Sequence, residues 1–410
     1  MKKKLLEIQE TSFNFFNDFT NLDKRSKGYG LTVDHLKNST RASIASTGFT
    51  LSNYVIADCY NYLSRDEIIK RVIGTLKTLY YHTEHYEGFF SHFIEINTGK
   101  RYKKSEFSTI DTALAINGIL TCQNYFKDST ITKYADLIVK RINWRKLIHQ
   151  RDGKTMLYMA YNDDPTGDYA NGKSGFIHHW SMFAEQLMIY LFIAGDSRFS
   201  KEESQSLYEG FERLVGTYRD YQFIYTPGNT LFVYQYPLMW LDLKDYYDKD
   251  EINWYENAKQ ATLSQYQWAV NDQSTYRSFK KHFFGLTASH TQDGYQVFHS
   301  IPNVFNKVIT DGTVVPSAII GSLPITPNIA KKGIKELFKI KELWHEKYGF
   351  YDAFNFEKKT WISDRIYAIN KGLEMLMVNA YLTQDVQKSY MSHPLIVKGL
   401  KTLEWKERKK

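Results

Sequence analysis

At 410 residues, 43% hydrophobic and 24% charged, the chain can build a large core and is too apolar to be disordered. Its formal charge of +8 is spread along the length and dense only in Met1-Lys2-Lys3-Lys4 and Lys406-Glu407-Arg408-Lys409-Lys410, so no basic stripe or motif points to nucleic acid. No run of about 18 apolar residues could span a membrane and no secretory signal opens the chain, so a cytoplasmic protein is expected.

Apolar residues recur with a helical period almost throughout. The pattern predicts helices, in order, near 3–20, 42–63, 65–82, 110–126, 130–143, 178–194, 200–217, 236–247, 254–270, 328–345 and 371–386. Between them lie segments rich in Gly, Asp, Asn, Tyr and Trp, at 84–109, 145–177, 218–235, 272–327 and 346–370. Connections that long inside a compact domain tend to be functional. Short β-hairpins are expected near 86–103 and 221–235, and short hinges at 61–66 and 195–198 join other helices. Alternating short and long connections predict helical hairpins around an axis, with the long loops at one end. No Pro/Ser-rich linker divides the chain, which reads as one domain over 1–410 with a short basic tail at 400–410. Cys59 and Cys122 sit in apolar runs and read as packed thiols. No spacing of His, Cys and carboxylates suits a metal, and no Gly-rich phosphate loop is present, so neither metal nor cofactor is expected. A monomer is expected.

Two acids stand out. The run His178-His179-Trp180-Ser181-Met182-Phe183-Ala184-Glu185-Gln186-Leu187-Met188-Ile189 contains one acid, Glu185, whose neighbours on a helical face would be Ser181, Met182, Met188 and Ile189. Burial with no cation nearby favours the neutral carboxyl, the form a general acid needs. The bland alternative is a solvated Glu185, or one paired with a distant lysine. Asp111 follows Ser105-Glu106-Phe107-Ser108-Thr109-Ile110 in the first turn of another apolar helix. There an acid can simply stabilise the helix N-terminus. Two carboxylates facing one cleft are also the minimum equipment for cleaving a glycosidic bond.

With those segments placed, the chain resembles the glucoamylase-like family of bacterial endo-β-1,2-glucanases and the transglycosylating domain of cyclic β-1,2-glucan synthase. The ordered blocks run over roughly 28–382: 28–34, 42–49, 88–93, 98–101, 105–114, Leu231-Phe232-Val233-Tyr234-Gln235-Tyr236, Trp240-Leu241-Asp242, 254–257, 284–289, 293–295, 311–318, 321–324 and Tyr348-Gly349-Phe350-Tyr351-Asp352-Ala353-Phe354-Asn355. The resemblance implies an (α/α)6 barrel, a β-1,2-glucan substrate, Glu185 as general acid, and a cleft lined by the acids around Asp111. The chain departs from the family pattern at Tyr236-Pro237-Leu238, at His290-Thr291-Gln292-Asp293-Gly294 and at Ile369-Asn370-Lys371-Gly372-Leu373, all in sugar-contacting loops.

The expected activity is therefore glycoside hydrolysis of a β-glucan, with an oligo- or polysaccharide as partner. Transglycosylation and a non-catalytic glycan-binding or assembly module are the alternatives. A terpene-cyclase reading would need an Asp-rich helix, but Asp163-Asp164 runs into Pro165 and Gly167 and reads as a turn. Asp111 leads as second carboxylate, followed by Glu106 and Asp352. Phe89, Trp180, Tyr234 and Trp240 are candidate sugar-stacking faces, each equally suited to core packing. Arg41, His92, Arg101, Gln235, Asp242 and Asn355 could bond hydroxyls, and Arg101 could instead pair with Glu106 or Asp111.

Overall fold

The computed structural model describes residues 1–272 and 274–408. Among them are fourteen α-helices: α1 (Lys2–Asp18), α2 (Ile44–Cys59), α3 (Arg65–Tyr81), α4 (Thr109–Phe126), α5 (Ser129–Arg141), α6 (Leu187–Gly195), α7 (Lys201–Glu209), α8 (Leu231–Gln235), α9 (Trp254–Tyr266), α10 (Pro316–Gly321), α11 (Pro327–Leu337), α12 (Ala368–Leu382), α13 (Asp385–Met391) and α14 (Pro394–Thr402). Their starts are written locally. Ser43, Ser64, Ser108, Asp128 and Asn253 accept backbone N–H groups at the heads of α2, α3, α4, α5 and α9, and Ser200 with Glu203 forms a capping box on α7. Proline opens α10, α11 and α14, where its missing N–H costs nothing.

Two kinds of helix result. α2, α4, α6 and α12 are buried on nearly every face, whereas α3, α5 and α11 bury only one stripe. A helix apolar all round belongs inside and an amphipathic one covers it. α3 and α5 accordingly pack outside α2 and α4, α11 packs on α10, and α1 on α12. The closest inner approach is between α2 and α4. A Cβ on Gly118 would lie 2.2 Å from the Gly48 carbonyl oxygen, and one on Gly48 would lie 2.4 Å from that of Leu114, so the two backbones touch only because both residues are glycine.

The strands are short ribbons. The largest sheet orders Phe107–Ser108, Lys154–Asn162 and Ile148–Arg151, and Gly175–His179 also pairs with the long strand. The registers Ser108↔Ala160 and Ala160↔Ile177 fix the head of α4 beside the chain leading to α6.

Several expectations are corrected. Residues 178–186 are not helical: His178 and His179 end a strand, and Met182 bridges to Glu212 before α6 begins at Leu187. Strand pairing there overrides an apolar run that suits either state. Residues 236–247 hold a 3-10 turn at Pro237–Met239 and the short strand Tyr246–Tyr247 in place of a helix, and the expected 200–217 helix stops at Glu209. Short α8, α10 and α14 were not foreseen. The anticipated 221–235 hairpin lies at Val215–Tyr218 and Tyr221–Ile224. Cys59 is exposed, while Cys122 is packed. The basic tail docks through Lys406–Glu407 against Tyr246–Tyr247 and through Arg408 on Glu251; Lys409 and Lys410 lie outside the described residues. Among the described residues no helix is long and apolar enough to cross a membrane.

Candidate active site

The N-terminal ends of α2, α4, α6 and α12 bring together five acids: Asp34, Glu106, Asp111, Glu185 and Asp352. On one wall, the Ser108 hydroxyl caps α4 by accepting the Asp111 N–H at 3.2 Å and donates to Asp111 Oδ2 at 2.6 Å. Capping therefore belongs to Ser108, and the other Asp111 oxygen, Oδ1, faces His92. His92 Nδ1 lies 2.9 Å from Glu106 Oε1 and its Nε2 lies 3.7 Å from Asp111 Oδ1. Burial lowers the His92 pKa, but Asp111 and Glu106 outweigh it and raise the ring to about 9. One ligand atom from each of His92, Glu106 and Asp111 lies within 4.8 Å of the others, a grouping the sequence spacing did not reveal. With the ring protonated at neutral pH, both nitrogens carry hydrogens, so a metal would bind this group only by displacing a proton from His92.

On the opposite wall Glu185 occupies the turn just before α6. It lines a cavity of about 260 Å³ with Trp180, Met182, Pro227, Phe232, Val297 and His299. Burial is the main cause that lifts its pKa to about 7, its own backbone N–H pulls the other way, and the Asp111 charge adds to the rise. The two acids are thus close enough to feel each other, with no cation between Glu185 and neutrality. Asp352 is different. It is 4% exposed, accepts from Asn370 Nδ2 at 2.6 Å and from the His290 N–H at 2.7 Å, and burial still lifts it to about 6. Tyr236 links the walls: burial first, then Glu185, Asp111 and Asp352 together, push its hydroxyl pKa upward.

A model of the family described as "Putative glucoamylase" matches residues 177–394, more than half of the chain. The chain belongs to this glucoamylase-like family. The exo β-1,2-glucooligosaccharide sophorohydrolase (non-reducing end) of Parabacteroides distasonis is 25% identical over 97% of this chain. The chain spans only 57% of that relative's length. The endo-β-1,2-glucanase of Chitinophaga pinensis, solved with sophorotriose and glucose, superposes with a TM-score of 0.84 at 21% identity over 99% of both chains. A β-1,2-glucanase structure from Parabacteroides distasonis gives 0.82 at 22% identity, covering 98% of this chain and 60% of that one. At these identities the structural likeness is one of fold.

Within this family member the remaining candidates divide sharply. Arg41 pairs with Asp34 at 2.6 Å and lies over the Phe93 ring, on which His92 also stacks. Trp180 lines the Glu185 cavity and donates its indole N–H to Thr109 Oγ1. Phe89, Tyr234, Gln235 and Trp240 are core residues, not sugar contacts. Phe89 packs edge-on against Trp144, Tyr234 bonds Asn229, Gln235 bonds the Ala318 carbonyl and Ser322, and Trp240 stacks on Phe49 and bonds Ser52. Asp242 accepts from Gln384, beyond the C-terminal end of α12, and the helix length puts it roughly 20 Å from Asn370. Asn355 clamps the Asp311 carbonyl, Thr313 and the Glu357 N–H.

Arg101 touches neither Glu106 nor Asp111 with its guanidinium. It bonds the Ser105 carbonyl, Asn162 and Asp163, while Lys104 holds Asp164 at 2.8 Å. Those bonds fix the 163–174 loop, which carries Tyr169. That ring is 61% exposed, and its hydroxyl pKa is raised by burial and then by Glu106 and Asp111. Tyr295, 46% exposed, stands among Tyr236, Asp352, Asp34 and Tyr367 on the far side. Exposed rings with hydroxyls crowded by acids are what a cleft wall looks like. The residue-by-residue reading missed both tyrosines, together with Asp34, Tyr236 and Asn370. For Asp34, Tyr236, Tyr295 and Asn370 the available signal was membership of the 28–34, 231–236 and 293–295 blocks and of a loop that departs from the family pattern; Tyr169 lies in none of them.

Proposed function

We propose that the protein is a glycoside hydrolase that cleaves a β-1,2-linked glucan, with Glu185 as general acid and Asp111 as the second carboxylate. Family membership and the names of its relatives support the substrate class. The observation that carries the reading is the Glu185 carboxyl. It opens onto a cavity, has no cationic partner, and is poised near neutrality by burial. Such a group can hold a proton until the glycosidic oxygen needs it. Asp111, close enough for its charge to raise the Glu185 pKa and hydrogen-bonded only through Oδ2, would activate a water or attack the sugar. His92 offsets part of the negative charge of the two acids beside it. Glu106, already engaged by His92 and Ser105, suits a supporting role, and Asp352, bonded on both oxygens, suits orienting the His290 loop.

Sugar-stacking faces in this reading are Tyr169, Tyr295 and Trp180, with Arg41 and His92 as polar clamps. The architecture is proposed to be one (α/α)6-barrel domain over 1–410. Inner-helix contacts running α2–α4–α6 and α8–α10–α12–α2, each covered by an outer helix, support it. The test is to incubate the protein with linear β-1,2-glucan and with other β-glucans and to measure new reducing ends and product size. Release from the β-1,2-glucan alone is expected; a folded protein that releases nothing from any of them would sink the reading.

A further inference from the structure

Three segments distant in sequence meet in a concavity of about 580 Å³ that shares no lining residue with the Glu185 cavity. Arg277, Lys280 and Lys281 come from the first, Glu336 and Lys339 from the end of α11, and Phe356 and Thr360 from the turn of the hairpin Phe354–Asn355 and Trp361–Ile362. Four cations therefore face one acid. Glu336 is already neutralised by Lys339 at 2.6 Å. The nearby Glu357 carboxylate is engaged by the N–H groups of Arg277 and Ser278 and by the Ser278 hydroxyl. Neither the Lys280 nor the Lys281 ammonium has a hydrogen-bond or ion-pair partner among the described residues. Lys358 and Lys359 stand in the same hairpin turn.

Cations on a surface normally spread out, because like charges in one low-dielectric hollow repel. Here the backbone holds them together. Lys281 and His282 adopt successive left-handed conformations, φ 62° and 68°, which non-glycine residues take only when their surroundings impose it. The His282 ring is anchored to the Tyr266 hydroxyl at 2.6 Å, and its carbonyl oxygen lies 2.9 Å from where a Cβ on Gly333 would stand. Glu357 in turn ties the 277–278 turn to the hairpin. The hollow thus gathers exposed cations on a fixed backbone, with positive charge in excess.

We propose that this concavity binds a phosphate-bearing anion. Arg277 supplies a planar fork for two oxygens, Lys280 and Lys281 supply point charges, and the Thr360 hydroxyl supplies a neutral donor. The inference is independent of the glycoside reading, because its test reads binding and not turnover. Calorimetric titration with pyrophosphate at low salt is expected to show one saturable site that weakens as salt is added. A Lys280→Ala/Lys281→Ala variant, shown by its melting temperature to be folded, should bind about tenfold or more weakly, while Lys280→Arg/Lys281→Arg should retain binding. Parallel titrations with inorganic phosphate and with glucose 6-phosphate assign the site to a free anion or to a phosphorylated sugar, whichever binds more tightly. Absence of saturable binding, or equal affinity in the alanine variant, overturns the proposal.

Discussion

The two walls of the cleft carry the same kind of side chain in different surroundings. Around His92 the carboxyl groups share one cation: Glu106 and Asp111 flank an imidazolium, and Ser105 and Ser108 supply further hydrogen bonds. Around Glu185 there are an indole, methionine, proline, valine and the rings of His179 and His299, whose pKa values burial lowers, and no Lys or Arg among the described lining residues. Burial at Glu185 favours its protonated form, whereas the carboxyl groups beside His92 have a cation and hydroxyl donors within reach. The difference separates a base or nucleophile from an acid without any change of residue type, since environment sets which role a carboxyl can play.

The largest expected effect follows from removing the uncharged wall's proton. Glu185→Gln should lower turnover on β-1,2-glucan by on the order of a thousandfold or more and leave oligosaccharide binding and melting temperature nearly unchanged, because shape is kept and a neutral group replaces a neutral group. Activity within a few-fold of wild type would remove Glu185 from the acid role. Next comes the charged wall. Asp111→Asn should cut the rate roughly a hundredfold, the usual scale for a general base, and cost stability only about 1 kcal/mol or less because Ser108 is the cap. Glu106→Gln should cost less rate and more stability, since His92 would lose its 2.9 Å partner. A dead Glu106 variant beside an active Asp111 variant would exchange their roles.

A smaller effect tests whether the walls communicate. If Glu185 must be protonated, kcat/KM should fall as pH rises through about 7, the value to which burial lifts it. The Asp111 charge contributes to that rise, so Asp111→Asn should move the falling limb to lower pH, whatever it does to the maximum rate. A limb that stays in place in the Asp111 variant would mean that the walls are electrostatically separate.

How much of this was legible in the sequence differs between the walls as well. Glu185 was visible because no cation lies near it in the chain, yet the reasoning placed it on a helix. The isolation is real, but tertiary packing produces it, through a turn held by the Met182–Glu212 bridge and the head of α6. Asp111 and Glu106 were visible from the polar opening of α4. His92 between them was proposed only as a sugar clamp, because a contact spanning 14 residues depends on how the strand pairs and not on spacing along a helix. The long helices α1 to α5 lie close to where the pattern puts them, whereas short α8, α10 and α14 owe their ends to neighbours and to proline. Aromatic residues were the least readable. Phe89, Tyr234 and Trp240 are apolar mass in the core, while Tyr169 and Tyr295 are exposed, and only the loops decide which is which.

Those two tyrosines give the finest comparison of the walls. Tyr169 overhangs the charged side on a loop fixed by Arg101, and Tyr295 stands on the other side near Asp352. A sugar ring stacked on either would gain about 1 kcal/mol from the aromatic face, so each alanine variant should weaken binding only a few-fold. Measured in the Glu185→Gln background, where bound glucan is not consumed, Tyr169→Ala and Tyr295→Ala should each raise Kd about fivefold, and Tyr169→Phe and Tyr295→Phe should restore most of it, because the face is kept and only the hydroxyl is lost. The effects of the two alanine changes should add, since the rings belong to separate walls and share no partner in contact. If Tyr→Phe is as damaging as Tyr→Ala on one wall, that ring works through its hydroxyl and not its face. If neither alanine variant changes Kd, the sugar lies elsewhere in the cleft and both walls must be reassigned.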